Sequence, residues 1–327
     1  MASNPIDGFQ VDPAELVYVG DGLQRPECIL AERDGTLWSA DARGGVMRIG
    51  PDGTQTLIAQ HPDPRFDATQ DAAARFTQGT LPNGLAFDAD GSILIANFGT
   101  DRLERMTRAG ATEVLLDTLD GGPIGKVNFV LRDRRGRIWI TVSTRIVNWM
   151  RAISPRIADG YVAVLDGRGA RVVADGFAFT NEIRFDAAEE WLYVVETCGR
   201  RITRLRIDDQ ARVTAREVFG PADTGGFIDG IAFDAHGNLW GTHVMSDRIF
   251  AITPGAISAS SSTTTAPSPR PRSTRPLPRT GWNRRTCWPA AARSHPGSPR
   301  SPLAGPICGR SMWARCAAVA FRPSAAP

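Results

Sequence analysis

The chain is predicted to be all-β and folded as a β-propeller, on three observations. A short block recurs five times, opening at Glu27, Asn83, Asn128, Asn181 and Asp229, so that the openings lie 56, 45, 53 and 48 residues apart. Eight residues into four of the five stands a glycine: Gly35, Gly91, Gly136 and Gly237. Ten and eleven residues in stands an apolar pair: Leu37-Trp38, Ile93-Leu94, Ile138-Trp139, Trp191-Leu192 and Leu239-Trp240. Self-similarity near fifty residues, made of short apolar runs and tight turns, is the signature of propeller blades. Equivalent positions in such blades sit at equivalent heights around one axis. The five oxygen-bearing side chains that open the blocks are therefore expected to converge on one point.

Each block reads as strand, turn, strand. The second is the clearest: 83–88 alternates, Asp90-Gly91 turns the chain, 92–97 returns, and 102–106 begins a third strand. Asp-Gly favours a two-residue hairpin, in which both turn residues take positive φ. Asp34-Gly35 repeats the signal, Asp52-Gly53 marks the next turn outward, and Arg135-Gly136 and His236-Gly237 are weaker forms. The fourth block has Ala187-Ala188-Glu189-Glu190 there, with no glycine, and is expected to turn differently. Residues 63–76 and 145–160 are insertions expected to lie over one face as loops. Residues 15–19 read as the N-terminal strand that closes the ring inside the last blade. A carboxylate also recurs five residues into each block: Glu32, Asp88, Asp133, Asp186 and Asp234. The same residue type in every blade suits a strand-end acceptor that caps turn amides. The opening residues vary, as one asymmetric site requires.

The formal charge of +3 conceals two halves. Residues 256–327 hold 11 arginines and no Asp, Glu or Lys, so residues 1–255 carry 27 basic groups (38 less 11) against all 35 acidic ones. An acidic body argues against a nucleic-acid surface and suits a cation site. Residues 1–255 are assigned to the propeller, an N-terminal closing strand plus five blades. Residues 256–327 form a tail rich in Pro, Ser, Arg and Ala that is expected to be disordered. Its three tryptophans, three cysteines and lack of lysine fit an out-of-frame stretch better than a natural basic tail. Read one frame over with GC-rich codons, 256–266 and 305–315 each become a strand with a turn. A sixth blade is therefore expected to be encoded but lost to a C-terminal frameshift. No apolar leader occupies residues 1–15, and no window approaches a membrane span. Only Cys28 and Cys198 lie in the repeats, which is no disulfide framework, so the expected compartment is the cytoplasm.

Arg25-Pro-Glu27, Lys126-Val-Asn128, Phe179-Thr-Asn181-Glu182, 192–197 (Leu-Tyr-Val-Val-Glu-Thr), 228–234 (Ile-Asp-Gly-Ile-Ala-Phe-Asp) and 237–240 (Gly-Asn-Leu-Trp) resemble motifs of the regucalcin/gluconolactonase family, itself similar to diisopropyl fluorophosphatase. The resemblance covers about residues 15–255. It implies a six-bladed β-propeller with one divalent cation in its central channel. Glu27, Asn181 and Asp229 are the implied ligands. Asn128 is implied as a further ligand or a substrate contact, and Lys126 as a substrate contact. Asn83 opens a block but matches no family ligand, so it ranks first as a rim or turn residue and second as a substrate contact. The chain departs from the family around Glu27, with Pro26 before it and Cys28 after it. Cys28 reads as a small buried residue, Glu196 as structural, and His61, His236 and His243 as loop or hairpin residues.

The chemistry of the residues agrees with the resemblance. Glu, Asn and Asp offer hard oxygen donors, which suit Ca²⁺, with Mg²⁺, Mn²⁺ or oxygen-held Zn²⁺ as alternatives. The implied activity is hydrolysis of a sugar-type lactone. The cation polarises the carbonyl, and Asp229, or failing it Glu27, activates water. Alternative readings are a phosphotriesterase-like hydrolase, a non-catalytic calcium-binding propeller, and an inactive truncated remnant. The expected partner is a small-molecule lactone, with no nucleic acid, membrane or protein.

Overall fold

In the computed structural model the described residues are 4, 6, 17–60, 79–246, 248–257 and 266–267. They form five four-stranded antiparallel sheets, each a meander in chain order, set side by side as propeller blades. The first holds β1 (Glu27–Ala31), β2 (Leu37–Asp41), β3 (Gly45–Ile49) and β4 (Gln55–Ala59). The second holds β5 (Pro82–Phe87), β6 (Ile93–Asn97), β7 (Arg102–Met106) and β8 (Thr112–Leu116). A two-stranded hairpin, β9 (Thr118–Leu119) and β10 (Gly122–Pro123), leads to the third blade: β11 (Val127–Arg132), β12 (Ile138–Val142), β13 (Gly160–Asp166) and β14 (Gly169–Phe177). The fourth is β15 (Thr180–Phe185), β16 (Trp191–Glu196), β17 (Arg201–Ile207) and β18 (Val213–Phe219). The fifth is β19 (Phe227–Phe233), β20 (Leu239–Val244), β21 (Arg248–Ile252) and β22 (Ala266–Pro267). The innermost strands follow one another around the axis, β1 beside β5, β5 beside β11, β11 beside β15 and β15 beside β19.

Each inner sheet is covered on both faces by its neighbours, so its strands are apolar on both sides. All five residues of β6 are buried. Trp38, Leu85, Ile93, Phe129, Trp139, Ile183 and Leu192 join the first four blades in one core. Tyr193, Phe219, Ile228, Ile231 and Phe250 join the fourth to the fifth. Close approach of neighbouring inner strands fixes Gly84, where a Cβ would lie 2.5 Å from the Cα of Phe129.

The turns correct the sequence reading. The amide of Asp88 donates to Ser92 and that of Gly91 to Asp88, so the connection is longer than a two-residue hairpin. Gly91 alone takes positive φ, at 82°, because the first of the pair needs none. The fourth blade also differs less than expected. Glu189 stands at the glycine position with φ 57° and makes the same backbone bond to Asp186, so it uses a left-handed residue without glycine.

Two further expectations change. Residues 17–20 form no strand, and Val17, Tyr18 and Val19 are exposed. The last blade, inside which they were expected to pair, is the one expected to be lost, and residues 15–16 lie outside the described residues. The tail is not wholly separate, because Ala266 and Pro267 pair with Ile249 and Arg248. The insertion 63–76 and residues 268–327 also lie outside the described residues. The other insertion carries a short 3₁₀ turn, Trp149–Ala152, and lies across the blades. Trp149 meets Phe98 edge-on at 5.4 Å and lies 6.2 Å from Phe179. With Leu81, Ala178 and Cys198 these rings roof several blades at one end.

Candidate active site

One backbone device recurs at all five block openings. In each blade the pairing of the innermost strand with the next slips by a bulge. The slips fall between Glu27 and Ile29, Pro82 and Leu85, Val127 and Phe129, Thr180 and Ile183, and Ile228 and Ile231. A bulge breaks the strict alternation of side chains and re-aims one of them. Here Asn83, Asn128, Asn181 and Asp229 each fall within the slip, while Glu27 stands at its edge, paired with Ala40, and Cys28 is the extra residue. The repeat in the sequence is thus a repeat of bulges around the axis.

Asn181 and Asp229 are in direct contact, the Asn181 Nδ2 donating to Asp229 Oδ1 at 3.0 Å. The same nitrogen donates to the Thr197 Oγ1 at 3.2 Å, while that hydroxyl gives its proton to the Ile228 carbonyl at 2.7 Å. This relay fixes the amide so that its oxygen is the atom left to receive a ligand. Glu27 is half-buried, its side chain 21% exposed, and its carboxyl is pushed up to about 7, first by loss of hydration, against the pull of Arg25, and further by the charge of Asp229. Burial likewise raises Asp229, against the opposing bond from Asn181 and the charge of Arg25. Two carboxylates that repel each other away from water are stabilised in their charged form by a cation.

Asn83 is buried within β5, not at a rim or turn, because the bulge carries it inward. It accepts from Arg25 Nη2 at 3.1 Å and donates to the Asn128 carbonyl at 2.9 Å. The Asn128 side-chain oxygen is buried with no hydrogen-bond partner among the described residues. Lys126 is paired with Asp101 at 2.8 Å and lies 5.9 Å from the Phe98 ring centre. Glu27, Asn181 and Asp229 are therefore brought together, Asn83 and Asn128 adjoin one another, and Lys126 sits beside Phe98 under the roof.

Three of these groups were not singled out from the sequence. Arg25 approaches Glu27 at 3.4 Å. Glu182, next to Asn181, accepts from the Ile231 amide at 3.2 Å and faces Arg184 at 3.3 Å. Burial raises it to about 8, against the pull of Arg184, and the charges of Asp229 and Glu27 add to the rise. Gly84 and Gly230 hold the second place of their blocks, so aligning the blocks would have flagged a glutamate there. Asp101, with φ 57°, had no such signal.

Other readings divide. Cys28 is a buried thiol, raised to about 12 mainly by burial. Glu196 is structural, holding Arg201, Thr203 and the Ala178 amide. His243 is a hairpin residue, paired with Arg248 across β20 and β21. It lies in β20, is 3% exposed, and is pushed down to about 4 chiefly by burial. His61 lies outside the described residues.

Among the described residues no three His, Cys, Asp or Glu side chains form a metal-binding group. The set at the axis instead mixes two carboxylates with amides. Its buried acids, its oriented Asn181 oxygen and the unpartnered Asn128 oxygen fit a hard divalent cation.

The model of the SMP-30/gluconolactonase/LRE-like region matches residues 109–271. Just under half of the chain is thus similar to that region. The match starts later than the motif resemblance and runs past residue 255. A gluconolactonase from Xanthomonas campestris is similar at TM-score 0.59 and 21% identity, over 76% of this chain and 78% of that one. A calcium-binding regucalcin from Agrobacterium tumefaciens is similar at TM-score 0.56 and 19% identity, over 75% of each chain. A propeller in a nidogen/laminin complex reaches TM-score 0.54 at 20% identity, over 73% of this chain and 79% of that one. At these identities the likeness speaks for the propeller fold. A comparison with curated proteins gives no match. No described helix is long and apolar enough to cross a membrane.

Proposed function

We propose that this chain is a divalent-cation-dependent hydrolase that opens sugar-type lactones, with Ca²⁺ the expected cation. The observation that carries the proposal is the set at the axis, where bulges hold Asn181 in hydrogen-bond contact with Asp229 and the charge of Asp229 acts on Glu27 at the edge of its own bulge. A cation held by these three, with Asn128 as the fourth donor, would supply Lewis-acid polarisation of the lactone carbonyl. The family region and its gluconolactonase neighbours support the same class of chemistry.

The chain's own groups have these roles. Asp229, held away from water and braced by Asn181, accepts the proton of the attacking water. Glu27 is the alternative acceptor. The Lys126 ammonium steadies a substrate hydroxyl or the developing oxyanion. Asn128 and Asn83 contact the sugar hydroxyls. The aromatic roof of Phe98, Trp149 and Phe179 limits water above the reacting bond.

The test is proton release from D-glucono-1,5-lactone in a pH-stat, before and after EDTA and after Ca²⁺ is restored. Turnover should vanish with the chelator and return with the ion. Undiminished turnover in the chelated protein would refute cation dependence. A Ca²⁺-induced rise in Tm with no lactone or ester consumed would point to a non-catalytic calcium propeller. A panel including phosphotriesters separates the remaining alternative.

A further inference from the structure

Arg25 stands among the axial residues in a constrained setting. Its backbone takes φ 46°, a left-handed conformation unusual for a residue with a side chain. Pro26 follows it and disfavours the right-handed helical alternative. Such strain persists where surrounding contacts hold it, and it clusters where ligands bind. The contacts are on one side only: Nη2 donates to Asn83 and approaches Glu27. The other nitrogen, Nη1, is buried and has no acceptor among the described residues. A buried guanidinium N–H left unpaired is costly, so the position selects for a ligand that brings an acceptor.

Charge narrows the ligand. Around the axis Glu27, Glu182, Asp229 and Asp101 face Arg25, Arg184 and Lys126, four acids against three cations. A bound divalent cation leaves this set positive by one. Arg25 and Lys126 lie on one aromatic ring, 6.0 and 5.9 Å from the centre of Phe98. Lys126 is already matched by Asp101, whereas Arg25 keeps a free N–H and the planar fork that suits carboxylates.

We propose that Arg25 is a specificity residue that binds a carboxylate on the substrate, so that the preferred lactones are those of acidic sugars. This rests on the lactonase reading for the word lactone, but the anion site stands or falls separately.

The experiment is calorimetric titration of the full chain in excess Ca²⁺ with D-glucarate, D-gluconate and sorbitol. Glucarate should bind about tenfold or more tightly than gluconate, the scale of one charge-assisted fork, and sorbitol weakest. Arg25→Gln should erase the glucarate preference while retaining the Ca²⁺-induced rise in Tm, and Arg25→Lys should keep part of it. Equal binding of the two acids to the unaltered protein overturns the proposal without any variant. So does a preference unchanged in Arg25→Gln, since the cation alone then explains it. Should Arg25→Gln not fold, Arg25→Lys decides: a full preference there overturns the fork, a reduced one supports it. Glucarate preference without turnover of any lactone would leave the anion site and remove the lactonase. Turnover of neutral gluconolactone without the preference would do the reverse.

Discussion

Each blade carries two polar residues along its inner segment, one at the block opening and one five residues on, just past the end of the strand, and they behave oppositely. The outer set is saturated. Asp133 accepts from the indole of Trp139 at 2.8 Å, from the Arg137 guanidinium at 2.5 Å, and from the amides of Arg135 and Arg137. Asp234 accepts from the Trp240 indole and from the amides of His236 and Asn238. Glu32 takes the Trp38 indole and Arg108, whose bonds hold its carboxyl below the usual range. The inner set is undersupplied: Glu27 and Asp229 are raised and Asn128 keeps an orphaned oxygen. A carboxylate with all its lone pairs filled can only hold the fold. One that burial leaves short of partners still has binding energy for a ligand.

The contrast breaks most sharply at Asp229. In Asp229→Ala, lactone turnover should fall on the order of 10²- to 10⁴-fold, the usual worth of a positioned base. The Ca²⁺-induced rise in Tm should shrink with it. Turnover near the unaltered rate would remove Asp229 from the chemistry. The matching outer variant, Asp133→Ala, should do the converse. It strands an indole, a guanidinium and two turn amides in a buried setting, which should cost about 3 kcal/mol in urea unfolding. The Ca²⁺ affinity of whatever fraction remains folded should be unchanged. A loss of Ca²⁺ binding as large as that in Asp229→Ala would show that the two sets are not separable.

Glu182 tests the comparison through pH. Its carboxyl is raised in the fold, from about 4.5 to about 8, so the folded protein holds a proton that the unfolded chain releases. That contribution is complete below about pH 4.5 and is lost as pH rises through 8. Without metal ions, Tm should therefore decline between pH 5 and 8.5, with Glu27 adding to the slope up to about 7. Saturating Ca²⁺ should remove the Glu27 part, and Glu182→Gln the larger part. A flat profile in the unaltered protein would show that neither acid is buried as described.

How much was legible follows from the same distinction. Equal spacing carries over into equal height on the axis, so the five opening residues and the five saturated carboxylates could both be found by aligning the chain with itself. Their depth could not. Asn83 reads first as a rim or turn residue because it matches no family ligand, and only the bulge carries it inside. His243 reads as a loop or hairpin residue, and its depth shows only on alignment: it stands fourteen residues into its block, as Asp41 and Asn97 do in theirs. All three are buried polar groups at the end of a second strand. Arg25 precedes the repeat and gains its place from a left-handed backbone, which no residue pattern announces. The Ala187–Glu190 turn shows the opposite limit: the backbone geometry is kept while the expected glycine is replaced.

The smallest effect is expected where the inner set is linked by hydrogen bonds rather than by charge. Asn83 joins Arg25 to the Asn128 backbone and carries no charge of its own. In Asn83→Ala, Arg25 Nη2 keeps its approach to Glu27 but loses the acceptor that fixes its plane. The fork is then free to swing, while the Asn181–Asp229 contact in the fourth and fifth blades is untouched. The variant should raise KM for a carboxylate-bearing lactone by about tenfold, one hydrogen bond to a charged group, with kcat little altered. It should raise KM less for a neutral lactone. An equal rise for both would show that Asn83 acts through its hydroxyl contact alone and not through Arg25. A fall in kcat with KM unchanged would move it into the reacting group itself and would erase the division between charge-bearing and positioning members of the ring.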